Sequence, residues 1–268
     1  MEKPLMKLIV FIATLLSLLI FPPNSGFSET SEEKGLAIAQ EDDKRDNGFK
    51  DFTASMVMVL KNRQGEESSR NIRNKTLEVE NDGDKSLSIF ERPRDVKGTA
   101  LLNFTHKTGT DDQWLYLPAL KRVKRISSAN KSGSFMGSEF AFEDITSQEV
   151  EKYTYKWIRD EEYQNEKCFV FERYPTYKNS GYTRQVVWLD QKDYKVLQIK
   201  FYDRKNTPLK TLTQSNFKQY LEKYWYPGTM YMENHQTGKS TLITWKNYKF
   251  NNGLDKKDFD KNSLKRAR

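Results

Sequence analysis

From residue 52 onward, apolar and polar positions alternate one for one through most of the chain. In the run 52–61, Phe52, Ala54, Met56, Met58 and Leu60 fall on one side, with Thr53, Ser55, Val57 and Val59 on the other. A period of two is what a pleated strand requires. The same pattern predicts strands at 69–80, 85–91, 98–107, 112–117 and 120–127. After a break it resumes at 151–159, 167–174, 183–190, 195–203, 209–220, 229–236 and 240–250. Turn chemistry separates the early runs, at Gln64-Gly65-Glu66, Asn81-Asp82-Gly83-Asp84, Arg92-Pro93-Arg94 and Pro118. No stretch of linker composition and no fixed-period repeat divides the chain, so residues 29–268 are expected to form a single domain.

Three stretches break the alternation. Thr30-Ser31-Glu32-Glu33 fits a capping box, predicting a helix over 31–46 that ends near Gly48. Its apolar content is thin (Leu36, Ala37, Ile38, Ala39), which predicts a place on the surface of the sheet. The segment 132–145 sets Phe135 and Met136 between Ser132-Gly133-Ser134 and Gly137-Ser138, followed by Phe140, Phe142 and Ile145. Two flexible points around apolar residues describe either a lid able to swing over a cavity mouth or a packed loop plugging the sheet. At 254–268, Leu254, Phe259 and Leu264 are placed to cover a sheet end.

A dozen strands in sequence twist, curl, and must close or be covered. The expected fold class is therefore mainly β with a few helices: a strongly curved antiparallel sheet with an apolar concave side. The periodicity leaves two outcomes open, a filled core or a lipid-sized cavity. A one-residue register error exchanges the faces, so the pattern alone does not say which side chains point inward.

Residues 1–28 narrow the compartment. Lys3 and Lys7 precede a mostly apolar run at 8–21, and Gly26 and Ser28 supply small residues at −3 and −1, as a cleavable secretory signal would. A retained anchor is the alternative, but the apolar run is shorter than the roughly 18 residues that cross a bilayer. No cysteine lies near the cleavage region to accept a lipid. Cleavage removes two lysines and one glutamate, taking the formal charge from +8 to +7. With Cys168 alone, no internal disulfide is possible. The 14 Tyr, 16 Phe and 5 Trp favour a sheet over a helical bundle.

Candidate chemistry is sparse. His106 and His235 are the two histidines, each on a predicted strand, and Cys168 adjoins Phe169 and Val170 as an inert buried thiol would. No phosphate loop, nucleophile elbow or zinc spacing occurs, so no enzyme activity and no cofactor is expected. Glu143-Asp144 lacks a catalytic partner and is placed to pair with the basic strand or to satisfy backbone amides. Lys121, Arg122, Lys124 and Arg125 form a dense positive cluster. This reads as a solvated edge strand or as a contact for anionic headgroups or an acidic transporter surface. Nucleic acid is not expected for an exported chain without a recognition motif.

The run DDQWLYLPALKRVKRI followed by SGSFMGSEFAFED, with KGTALLNF before it and SGYTR, FYDRK and NHQTGKST after it, resembles the outer-membrane lipoprotein-sorting protein family, relatives of the periplasmic LolA/LolB-like carriers. The resemblance runs from about Gly35 to Arg268. It implies an unclosed β-barrel with helices across its mouth, monomeric and periplasmic. Such a protein shelters a lipid or lipoprotein acyl chains between an inner-membrane transporter and an outer-membrane acceptor. Some members with the long central motif accompany resistance-nodulation-division exporters, which implies an accessory or docking subunit as the other reading. Candidate lining residues are Met56, Met58, Phe104, Trp114, Tyr116, Phe169 and Trp188, with Phe135, Met136, Phe140 and Phe142 as the lid.

Overall fold

The alternating runs become strands and the turn residues end them. The computed structural model describes residues 29–266, so the expected leader at 1–28 lies outside the described residues. The first six strands are β1 (Asp51–Lys61), β2 (Glu67–Leu77), β3 (Lys85–Arg92), β4 (Ala100–Phe104), β5 (Asp112–Leu117) and β6 (Arg122–Ile126). Five more follow: β7 (Tyr153–Tyr163), β8 (Glu166–Pro175), β9 (Tyr182–Asp190), β10 (Val196–Asp203) and β11 (Pro208–Ser215). A short hairpin of β12 (Lys218–Tyr220) and β13 (Tyr224–Tyr226) precedes β14 (Thr229–Asn234) and β15 (Ser240–Phe250). The helices are α1 (Ser31–Asp46) and α2 (Lys261–Arg266).

Thirteen strands form one sheet in the order β6-β5-β4-β3-β2-β1-β15-β14-β11-β10-β9-β8-β7, with every named pair antiparallel. Two meanders, β1 to β6 and β7 to β11, are joined through β14 and β15. The sheet is strongly curved and unclosed, with β6 and β7 as its free edges. Those edges are consecutive in sequence, so residues 127–152 must cross from one to the other.

Helix α1 begins at the expected capping box: Glu33 N donates to Thr30 Oγ1 at 3.1 Å, and Thr30 N to Glu33 Oε2 at 2.9 Å. It packs on β7, where a Cβ on Gly35 would stand 2.7 Å from Trp157 N. Only glycine lets the helix approach the strand backbone this closely, and the helix thereby covers an edge that would otherwise invite pairing. Ile38 and Ala39 enter the main core.

The main core occupies the inner face and draws on both meanders, with Met58, Phe90 and Leu101 from the first and Val187, Leu189 and Phe201 from the second. The outer face is apolar as well. On the first meander Leu87, Ile89, Leu102 and Trp114 pack against Phe259 and Leu264; on the second Cys168, Val170, Val186 and Trp188 cluster. The C-terminal segment thus covers outer face, where the sequence suggested a sheet end.

The run 209–220 also differs from expectation. The strand stops at Ser215 because Asn216 takes a left-handed conformation (φ 55°), and its carbonyl accepts from Gly228 N at 3.0 Å. Residues 218–220 then pair with Tyr224–Tyr226 in a separate hairpin. Alternation continues across the break, which hid it. Among the described residues, no helix is long and apolar enough to cross a membrane.

Candidate ligand-binding site

The crossing segment enters the inner face as a tight loop. Phe135 N donates to Phe140 O at 2.7 Å and Phe142 N to Gly133 O at 3.0 Å, with one bridge between Ser134 and Ala141. A single turn of 3-10 helix, Phe142–Ile145, follows. The loop drives Phe135, Phe140 and Phe142 into the main core, where Phe140 is 1% exposed, and Met136 packs against it. Phe135 lies against Phe90 and Phe142 at ring distances of 5.8 and 5.7 Å. Each buried phenylalanine contributes about 1.5–3 kcal/mol.

The polar groups carried in with these rings are paired. Glu143 accepts from Tyr177 Oη (2.9 Å), Ser180 Oγ (2.8 Å) and Gly181 N (2.8 Å). Burial still holds its carboxyl above the usual range, against the pull of those donors. Asp144 accepts from Lys210 Nζ at 2.6 Å, Ala141 N at 2.7 Å and, through its other oxygen, Tyr182 Oη at 2.8 Å. The acidic pair therefore satisfies backbone amides, as one sequence reading had it, and its cation comes from β11, not from the basic strand. The Ser180-Gly181-Tyr182 turn supplies three of these donors, a role that its sequence, read as a turn and no more, did not show. Lys131 and Lys152 converge on Asp111 beside this network.

At one end of the inner face the packing opens into a cavity of about 580 Å³. Ala39 and Phe171 form apolar wall, Tyr155, Tyr194, Tyr224 and Tyr226 aromatic wall, and a band of carboxylates the remainder. The volume lies in the range of small-molecule sites. Helix spacing explains part of the band. Gly35, Ile38 and Ala39 form the buried stripe of α1, and on the same side, at i+3 and i+7 from Ala39, half-buried Asp42 and exposed Asp46 carry it out to the cavity. Burial and the neighbouring Asp46 push Asp42 up to about 7; burial, Asp46 and Glu149 do the same to Asp84. Glu149 is 5% exposed and likewise pushed up to about 7, chiefly by burial.

The structure separates the eleven candidate lining and lid residues by face. Met56, Met58, Phe135, Met136, Phe140 and Phe142 belong to the inner cluster. Phe104, Trp114 and Tyr116 belong to the outer cluster under the C-terminal segment, and Trp188 to the other outer cluster. It is Leu115, between the aromatic pair, that points inward. Phe169 packs against the inner core as well, and none of the eleven lines the 580 Å³ cavity. Lys121, Arg122, Lys124 and Arg125 are exposed at the free edge β6, and Arg125 pairs with Asp112.

The residues singled out for reactivity are held structurally. His106 Nδ1 lies 2.9 Å from Asp82 and His235 Nε2 2.8 Å from Thr211 Oγ1. Cys168 is fully buried with its thiol pushed up to about 11 by burial, then by Asp190.

Sequence reasoning missed the carboxylate band. Its one legible signal was the α1 stripe passing from Ile38 and Ala39 to Asp42 and Asp46; Asp84 and Glu149 sit in connections without local periodicity.

Comparison with other proteins agrees with the architecture. A family model described as uncharacterised proteins matches residues 82–266. No curated protein matches the sequence. A solved domain from Vibrio parahaemolyticus, named as an outer membrane lipoprotein-sorting protein, is 60% identical, with 87% of this chain and 99% of that one covered and a TM-score of 0.86. A DUF1329 family protein from Desulfovibrio piger is 30% identical over 88% of this chain and 99% of that one, with a TM-score of 0.83. A LolA superfamily protein from Nitrosomonas europaea, at 20% identity and TM-score 0.68 over 85% of this chain and 98% of that one, shares the fold. With the unclosed sheet, its crossing segment and the central motif in place, the chain belongs to the outer-membrane lipoprotein-sorting protein family.

Proposed function

We propose that residues 29–268, freed of the leader at 1–28, act as one periplasmic carrier domain. It shelters the apolar part of an amphiphile, a lipid or the acyl chains of a lipoprotein, on its way towards the outer membrane. The observation that carries this reading is the cavity of about 580 Å³ between α1 and the inner face, whose deep wall includes Ala39 and Phe171. Each methylene withdrawn from water contributes roughly 0.8 kcal/mol, so a sheltered chain supplies affinity without any catalytic step. The segment 132–145 is the lid in this reading. Its withdrawal joins the cavity to the apolar surface around Met58 and Phe90. Lys121, Arg122, Lys124 and Arg125 offer an anionic headgroup or an acidic acceptor its first contact.

A second reading, an accessory subunit docked on a resistance-nodulation-division-type exporter, draws on the same features differently. Phe135, Phe140 and Phe142 already fill the inner face, and the basic edge β6 has no strand beyond it. Uptake of a fluorescent dodecyl-chain probe by the mature protein decides between them. The carrier reading expects saturable binding, displaced by extracted membrane lipid. No saturable uptake at any probe concentration leaves only the accessory reading.

A further inference from the structure

The cavity wall carries nine carboxylates against five cationic side chains, on a chain whose overall formal charge is +8. Random scatter of surface charge does not concentrate acids in a recess of a basic protein, and with every cation set against one acid four carboxylates are left over. Arg45 bonds Glu41 and the Lys192 carbonyl and lies over the Tyr194 ring; Arg173 bonds Gln185 and faces Tyr153. Lys195 pairs with Asp193 of the wall as well as with Asp190 and Glu166, Lys223 donates to the Asn47 carbonyl, and Lys107, the fifth, faces Glu149 without forming an ion pair with it.

Glu149 marks the deficit most clearly. The residue is nineteen-twentieths buried and borders the cavity, yet among the described residues no hydrogen bond or ion pair reaches its carboxylate. A Cβ on Gly83 would lie 2.7 Å from Glu149 Oε1, so glycine leaves the space the carboxylate occupies. Of the half-buried carboxylates beside it, Asp84 has a single side-chain contact, from Ser147 Oγ at 3.4 Å, and Asp42 has none among the described residues. A buried charge without a partner is costly to a fold, and such groups gather where a ligand completes them.

The missing partner has a definable chemistry. Among the described residues, no group of acidic, histidine or cysteine side chains could hold a metal ion. Aromatic walls beside carboxylates suit an organic ammonium, which gains from ring faces and charge together. Three cations of the protein already lie over the wall's own rings: Arg45 over Tyr194 at 3.9 Å, Lys223 over Tyr224 at 4.6 Å and Lys195 over Trp225 at 5.1 Å.

Resting on the carrier reading, we propose that this cavity receives the ammonium end of an amine-bearing amphiphile, held by Glu149, Asp84 and Asp42, while its apolar part runs towards the inner face. Titration calorimetry at pH 8 with dodecylamine, dodecanol, dodecanoate and spermidine tests it on the mature chain. The expected result is that dodecylamine binds at least about tenfold tighter than dodecanol, as a charge-assisted contact supplies, with dodecanoate weaker than both. Glu149→Gln combined with Asp84→Asn removes that preference, while the exposed control Glu233→Gln, far from the cavity, keeps it; circular dichroism confirms that both are folded. Equal affinity for dodecylamine and dodecanol overturns the ammonium assignment and leaves the carrier standing. Spermidine binding as tightly as dodecylamine assigns the site to a free amine and overturns the amphiphile. No binding by any of the four overturns both readings together.

Discussion

Two sets of buried carboxylates lie on the segment that links the sheet's edges, and they are treated in opposite ways. Glu143 and Asp144 are ringed by donors from Tyr177, Ser180, Gly181, Tyr182 and Lys210. Glu149, five residues beyond Asp144, has no such ring and faces Asp84 and the acidic turn of α1 across a cavity. The first set anchors a loop whose phenylalanines fill the inner face. The second is expected to cost stability where it stands, as groups held ready for a ligand do. The inner face thus has a closed, self-satisfied half and an open, electrostatically incomplete half.

The contrast is broken most forcefully in the closed half. Phe140→Ala empties a site that is 1% exposed, and a loss of roughly 3–5 kcal/mol is expected in chemical denaturation. A loss below about 1 kcal/mol would mean that the loop is a loose cover and not part of the core. Lys210→Met leaves Asp144 buried without its cation, with an expected cost of about 3 kcal/mol. If Asp144→Asn, which removes the charge and keeps an acceptor, fails to recover stability when added to Lys210→Met, the pair does not anchor the loop.

The open half should respond in the other direction. Burial raises the Glu149 carboxyl to about 7, so the unfolded chain gives up this proton more readily than the folded protein. Between about pH 4 and 7 the unfolded state therefore holds fewer protons, and stability falls as pH rises. The charged groups facing Glu149 are Asp43 of α1, Asp84, Lys107, Glu151 and Lys152, and the acids and the lysines act in opposition. Glu149→Gln is expected to stabilise the protein by about 1 kcal/mol at pH 8 and by less at pH 5, a rise of a few degrees in Tm. Destabilisation at pH 8 would show that the carboxylate has an internal partner after all.

The smallest effect on stability is expected at the free edge. Lys121→Glu with Lys124→Glu changes stability by no more than about 0.5 kcal/mol, because both side chains are exposed. Flotation with phosphatidylglycerol vesicles should nonetheless fall; unchanged flotation would reduce the basic cluster to a solvated edge.

Much of this architecture was legible in the sequence because its signals are local. The capping box at Thr30 and Glu33 set the start of α1, and alternation set most strands to within a few residues. The faces were not legible, because both are apolar: Leu115 points inward while Trp114 and Tyr116 lie under the C-terminal segment, and an alternating pattern cannot name its own inside. The cavity was less legible still. Asp42 looks like part of the solvated end of an exposed helix until β7 is placed beneath Gly35, and Glu149 and Asp84 meet only through the tertiary fold.

Native mass spectrometry of residues 29–268, purified without detergent, tests the carrier claim most directly. One amphiphile per chain, released by organic extraction and carrying an amine, is the predicted result. A bare protein mass, together with no uptake of dodecyl probes, would contradict it.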